Sequence, residues 1–336
     1  MELFNPIVPR ERWHPIFKML VEGDYAPERA VLTRWAEGFS DRDGKFVQEF
    51  QLSFEPCLWE LYLNACLVEL GHQLDFSHHA PDFVVQGNVS FSLEATIAAP
   101  AAGGRPAYGW SIHDLPEDLN QFNLESTLRI CNSFSSKVKR YREHYKTLGH
   151  VVGKPFVIGI ASFDRPLAHF AALRPVIAAL YGLYHDEEAT PRDATSVVSY
   201  NVAQAPKNAD VNIDLGLFCD DSFADVSAII YSSVATWGKV RGVADNSDAK
   251  IVFTTLHPQE GSLMPRVLTR LKRDYSEHLL DGLVVLHNPF ATHPLPSDVF
   301  QHPRVAQIRP APSGELVTNA PDDFLLLRML QSFVDQ

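Results

Sequence analysis

Pro81-Asp82-Phe83-Val84-Val85-Gln86-Gly87-Asn88-Val89-Ser90-Phe91-Ser92-Leu93-Glu94-Ala95-Thr96-Ile97 is the stretch from which the fold can be read. It reads as a hairpin, with strands at 82–86 and 89–97 around a Gly87-Asn88 turn. On the second strand Val89, Phe91, Leu93, Ala95 and Ile97 share one face, and Ser90, Ser92, Glu94 and Thr96 share the other. On the first, Phe83 and Val85 oppose Asp82, Val84 and Gln86. A three-residue loop, Gly87-Asn88-Val89, pairs Gln86 with Ser90, Val85 with Phe91, Phe83 with Leu93 and Asp82 with Glu94. Every large apolar side chain except Val84 then lies on one face. A two-residue loop would set Phe83 against Ser92 and send the two acids to opposite faces, so the first register is expected. Directly opposed carboxylates sit about 5 Å apart at Cβ, and like charges there repel. Such a pair is tolerated if one acid is protonated, if both face water, or if a cation lies between them. Hard oxygen donors of this kind suit Mg²⁺ or Mn²⁺.

Working outward, residues 55–70 (EPCLWELYLNACLVEL) form a helix, with Pro56 in its first turn and Gly71 at its C-terminal end. Apolar residues occupy nearly every side, so the helix is expected to be buried and Glu60 to need a partner or a metal. The alternative sets Glu60 on a single wet stripe beside Asn64. Downstream, residues 98–109 form a loop and residues 123–148 a long helix. On a wheel of 100° per residue, Phe134, Val138, Tyr141, Tyr145 and Leu148 make its apolar stripe. Lys137 lies about 60° off the centre of that stripe, with Ser133, Arg140 and His144 along the same flank and Lys139 on the far side. Further along, a strand is expected at 155–163, a helix at 166–184 and a polar boundary at 185–194. Three more strands are read at 225–232, 250–256 and 281–287, with a helix near 264–280. The order predicts an α/β protein with one central mixed sheet flanked by helices. It divides into a Pro-broken helical arm (1–45), a core (46–185) and a C-terminal α/β extension (195–336) packed on or beside that core.

The chain has 336 residues, and 29 Lys and Arg against 41 Asp and Glu give a net charge of −12. A protein that simply coats DNA carries a basic excess, so that class is disfavoured. Yet SSKVKRYREHYK (135–146) is a local positive patch within this acidic chain. The longest apolar stretch, 175–184, is too short for a membrane span, and the first thirty residues lack the apolar run of a signal peptide. Cys57, Cys66, Cys131 and Cys219 show no CxxC spacing and read as reduced core residues, the pattern of a cytoplasmic protein. No GxSxG, P-loop or GxGxxG occurs, which removes the main sequence support for serine hydrolases and nucleotide-dependent enzymes. His78-His79 and His287-Asn288 read as turn features. Thr236-Trp237-Gly238-Lys239-Val240-Arg241 joins an aromatic to basic residues in a way used to grip nucleic acid.

Glu60 on a first helix, Pro81-Asp82 opening a strand and Glu94 within the next resemble the PD-(D/E)xK nuclease superfamily. The resemblance covers residues 46–163. It implies a restriction-endonuclease-like core and a divalent-metal-dependent nuclease hydrolysing phosphodiester bonds, with DNA the substrate before RNA. Asp82 and Glu94 would be metal ligands for Mg²⁺ or Mn²⁺, and Glu60 a direct or water-mediated one. One departure is plain: where that group places a lysine two residues after the second acid, this chain has Thr96. Some members are similar in carrying this lysine on the following helix, and Lys137, with Tyr141 one turn on, resembles that arrangement. Lys137 would then assist water activation, while Tyr141, Arg140, Ser133 and His144 would contact substrate. Alternatively, Thr96 marks a degenerate domain that binds nucleic acid or a protein without cleaving.

Overall fold

The hairpin forms in the expected register, with Phe83 opposite Leu93 and Val85 opposite Phe91. The computed structural model describes residues 1–191, 193–208 and 210–333. Among these the helices are α1 (Pro15–Glu22), α2 (Ala26–Trp35), α3 (Phe46–Leu52), α4 (Phe54–Glu69), α5 (Leu119–Arg140), α6 (Arg174–Tyr181) and α7 (Trp237–Val243). The strands are β1 (Gln73–Leu74), β2 (Phe83–Gln86), β3 (Phe91–Ala98), β4 (Phe156–Ser162), β5 (Leu183–His185), β6 (Ser199–Asn201), β7 (Gln204–Pro206) and β8 (Asn212–Asp214). They continue with β9 (Ala228–Ser232), β10 (Ile251–Gln259), β11 (Ser262–Leu271), β12 (Val284–His287), β13 (Ala306–Pro310), β14 (Leu316–Asn319) and β15 (Leu327–Ser332). The central sheet has eight strands in the order β1-β2-β3-β4-β9-β12-β13-β14, and a second sheet has the order β11-β10-β15. The central sheet is mixed: β3, β4 and β9 run parallel, whereas β2–β3 and β9–β12 are antiparallel. No helix among the described residues is long and apolar enough to cross a membrane.

Alternation along each strand splits the core into two layers. On one face Phe83, Val85, Phe91, Leu93, Ala95, Val157 and Ala161 pack with residues of α1–α4. On the other Phe156, Ile158, Ile160, Ile229 and Tyr231 pack with α5 and α6. β4 is buried along its whole length, as a central parallel strand covered on both sides should be. α4 crosses it closely: Trp59 Nε1–H donates to the Gly159 carbonyl at 3.1 Å, and a Cβ at Gly159 would come within 2.9 Å of Leu63 Cδ1. The glycine is what lets the helix sit this near the sheet.

Several expectations are corrected. Residues 1–45 carry the helices α1 and α2, and Phe17, Leu20, Val31 and Leu32 on them are wholly buried in the first core layer. The segment from 195 onward supplies β9, β12, β13 and β14 to the central sheet itself, so it does not stand beside the core. The helix expected near 264–280 is instead β11 and a short 3₁₀ turn, because Gly261 turns the chain at φ +71° and β11 pairs with β10 along its length. The helix expected over 166–184 is broken by Leu167 and Ala172, both at positive φ, and resumes as α6. Cys57, Cys66 and Cys131 are buried as expected, but Cys219 is exposed. Asn64 is no wet-stripe residue: its amide is buried and donates to the Trp35 and Glu37 carbonyls at 2.8 and 3.1 Å.

Candidate functional site

One residue beyond the β2–β3 ladder, Asp82 and Glu94 face each other. Each carboxylate accepts a main-chain N–H from the opposite strand: Asp82 N–H donates to Glu94 Oε2 (3.3 Å), and Ala95 N–H donates to Asp82 Oδ2 (2.7 Å). Asp82 therefore sits at the open end of β2, in the place where a ladder bond would have been. Glu94 is 1% exposed, and a charge so deep requires partners. They come from the α5 side. Lys137 Nζ donates to Glu94 Oε1 at 2.9 Å, the Tyr145 hydroxyl donates to the same oxygen at 3.3 Å, and Arg140 Nη1 lies 3.7 Å away.

Glu60, on α4, lies near enough for the charges of Asp82, Glu94 and Lys137 to act on it. It is half-buried, and among the described residues it takes no hydrogen bond. Burial first, then the charge of Asp82, pushes its carboxyl well above the ordinary range; Glu94 adds to this and Lys137 opposes it. The Asp82 carboxyl is pushed up to about 6, by burial first and then by Glu94, with Lys137, the Ala95 N–H and Arg42 pulling it back. Three acids thus share one electrostatic neighbourhood, and two of them resist ionising together. Arg42, from the turn before α3, braces the segment leading to Asp82. Its Nη1 donates to the His78 and Pro81 carbonyls at 2.8 Å each, and its Nη2 lies 3.8 Å from Asp82 Oδ1. His150 Nε2–H donates to the Ala80 carbonyl at 2.7 Å while its ring stacks on His78 at 3.7 Å.

The flanking residues divide. The Ser133 hydroxyl donates to the Ile97 carbonyl at 2.9 Å, tying α5 to β3 beside the site. Arg140 is 56% exposed and lies over the Tyr145 ring at 5.5 Å. Tyr141 lies elsewhere, buried in the second core layer and stacked on Phe156 at 4.1 Å. His144 is 66% exposed, beside Glu143. The cause is a π-helical turn at Tyr141–Tyr145, closed by the Lys146 N–H donating to the Tyr141 carbonyl at 3.0 Å. That turn takes up about one residue more than an α-helical turn, so the next position moves into line. Tyr145 thereby occupies the flank that a regular wheel gives to His144. Sequence reasoning missed Tyr145 for this reason, and it missed Arg42 because only tertiary folding brings the 40–44 turn to Asp82. Lys139 is 74% exposed, on the far side as expected. The Thr236–Arg241 segment is not a free basic grip: Lys239 and Arg241 are buried in α7, paired with Glu277 and Glu28.

The donor set can be tested against a divalent cation. Carboxylate oxygens are hard donors, and the mutual repulsion of Glu60, Asp82 and Glu94 is the kind a cation relieves. No three His, Cys, Asp or Glu side chains among the described residues are gathered to hold a metal unaided, so Glu60 is not placed as a direct third ligand. Two carboxylates completed by water and a phosphate oxygen is the habit of Mg²⁺, and the set fits an ion of that type. No family model, curated protein or solved structure matches this chain.

Proposed function

We propose that this chain is a divalent-metal-dependent phosphodiesterase acting on nucleic acid, built on a restriction-endonuclease-like core. The observation that carries the reading is the Lys137 ammonium, donated from α5 to the buried Glu94 that pairs with Asp82 across the hairpin. The order α4, β2, β3, α5, β4, with β3 and β4 parallel, agrees with that core. DNA is placed before RNA on the sequence resemblance alone. Asp82 and Glu94 would hold Mg²⁺ or Mn²⁺, with Glu60 acting through a water. A divalent ion there supplies a more acidic bound water and neutralises phosphate charge. Lys137 offers N–H donors to the attacking water and to the charge that develops on phosphorus-bound oxygens. Tyr145 and Arg140 keep Glu94 partnered when Lys137 turns toward substrate. Ser133 fixes the height of α5 above β3.

A second reading has its own support: Thr96 stands where the superfamily's lysine would be, and the acids lack a ready third ligand. In it the same surface binds nucleic acid without cleaving. Purified protein incubated with supercoiled plasmid, single-stranded DNA and RNA, each with Mg²⁺ or Mn²⁺, separates the two. Cleavage that disappears in EDTA and in Asp82→Asn supports the enzyme. Retained binding with no cleavage of any substrate in either metal establishes the degenerate module instead.

A further inference from the structure

β11 is the longest strand among the described residues, and it lies at one end of the β11-β10-β15 sheet. Its pairing with β10 is regular from Arg266 opposite His257 to Leu271 opposite Val252, and on its other side no strand stands among the described residues. Open edges are usually kept short, bulged or covered, because their free N–H and C=O groups invite another chain. The 266–271 stretch is none of these, and Pro265 blunts only the end nearer the hairpin turn. Every residue in it but Leu268 is exposed, Val267 by 57% and Leu271 by 43%. Its two faces differ. Val267, Thr269 and Leu271 continue the half-buried Leu256, Thr254 and Val252 of β10 into one largely apolar face. Arg266 and Arg270 stand on the other face beside Leu268, and neither guanidinium takes an ion pair or a hydrogen bond among the described residues.

We propose that β11 is a docking edge, and that it takes an extended acidic segment of a partner protein as a further antiparallel strand of this sheet. Charge complementarity selects the occupant. A strand laid along 266–271 sets one residue opposite Arg266 and another opposite Arg270, four positions apart, and carboxylates there pair with both guanidinium groups. The residues opposite Val267 and Leu271 fall on the apolar face. The fitting segment therefore carries acids at positions j and j+4 and apolar residues at j−1 and j+3. Main-chain hydrogen bonds hold such a strand, and the side chains choose it. A second copy of β11 fits badly. A register that keeps the apolar faces together gathers four arginines on one face, and a one-residue slip sets arginines against the apolar face. A nucleic-acid strand offers phosphates to the arginines but no alternating N–H and C=O groups to the ladder. The docking edge holds whether or not the protein cleaves nucleic acid.

The test is a fluorescence-anisotropy titration of the full chain, at low salt, with a labelled and end-capped peptide: valine-glutamate-threonine-valine-valine-glutamate-threonine. Saturable binding is expected, stronger by about three- to tenfold than for the same peptide with both glutamates changed to glutamine, the scale of two exposed ion pairs. Added salt should shrink that difference. Proline at the third and fourth positions of the peptide, one of which must donate to the ladder, should abolish binding. Both arginines are exposed, so a protein carrying Arg266→Glu and Arg270→Glu should fold as the wild type does, and it should prefer a peptide with lysine in place of both glutamates. No binding, equal binding of the glutamate and lysine peptides by the wild type, or an unchanged preference in the double variant overturns the proposal. Tighter binding of oligothymidylate at the same edge overturns it in favour of nucleic acid. Dimerisation in sedimentation velocity that excludes the peptide overturns it in favour of a second copy.

Discussion

Glu94 concentrates the electrostatics of the molecule in one side chain, since a lysine, a tyrosine and an arginine all converge on its Oε1. If Lys137 is the displaced lysine, Lys137→Ala should lower metal-dependent cleavage by about 10²–10³-fold, the usual loss of a transition-state charge stabiliser. Metal affinity should survive, because the ammonium is no ligand. Lys139→Ala is the control and should cost little, its side chain being 74% exposed. Equal losses in single-turnover assays would reduce the helix to a general phosphate attractor. A second residue-scale expectation concerns His169. Burial pushes its imidazole down from about 6.5 toward 3, so between those values the unfolded chain binds a proton that the folded one refuses. The stability it contributes is complete above about pH 6.5 and drains as pH falls toward 3. His169→Gln should therefore flatten the pH dependence of the denaturation midpoint in that window, relative to wild type. At this scale the sequence spoke clearly where a period of two governed. The faces of Asp82 and Glu94 follow from Phe83, Val85, Phe91 and Leu93, which cannot all be buried in any other register.

The elements were less evenly legible. α4, the hairpin and β4 declare themselves through apolar runs bounded by turn residues, and their bounds shift by only a residue or two. α5 misleads at its end because a wheel assumes one twist throughout, and nothing local announces the π turn at Tyr141–Tyr145. Removing its extra residue offers a direct check. Deletion of His144 should return the helix to regular spacing with Tyr145 moved into the position that faces Glu94, so cleavage should survive it, as it should survive His144→Ala. Similar losses from both would place the effect in the His144 side chain. The seat of α4 on β4 can be tested at Gly159, where a methyl group would meet Leu63 Cδ1 at 2.9 Å and Trp59 Cζ2 at 3.5 Å. Gly159→Ala should destabilise by about 1–3 kcal/mol, the usual range for overpacking a filled core. A urea titration showing no change would mean that Leu63 moves aside freely. β11 was misread as helix because its apolar residues fall on no single period, and only pairing with β10 decides its state.

For the molecule as a whole, the hardest feature to foresee was that residues far down the chain complete the central sheet. Partners in parallel strands leave no short-range signature, since the crossover separates them. The second sheet is tied to this body by buried charge. Glu277 accepts from Arg328 Nη1 at 2.6 Å and from the Tyr275 hydroxyl at 2.6 Å, and it pairs with Lys239, whose Nζ also donates to the Asp281 carbonyl at 2.6 Å. Neutralising the one acid leaves two cations inside the protein. Glu277→Gln should cost about 3–5 kcal/mol in equilibrium unfolding, far more than a surface pair would. A loss within about 1 kcal/mol would show that water reaches the cluster. The parallel centre of the sheet also bears on how the chain reaches its native state. Ile158 lies between Glu94 and Ile229, partners drawn from distant parts of the sequence, whereas Phe83 and Leu93 are near neighbours along it. Local pairings close quickly and distant ones slowly. During refolding from denaturant the two acids should therefore meet early in the hairpin, before the crossover brings Lys137 down upon them. Recovery of cleavage would trail recovery of strand signal, the delay measuring the time that α5 takes to dock.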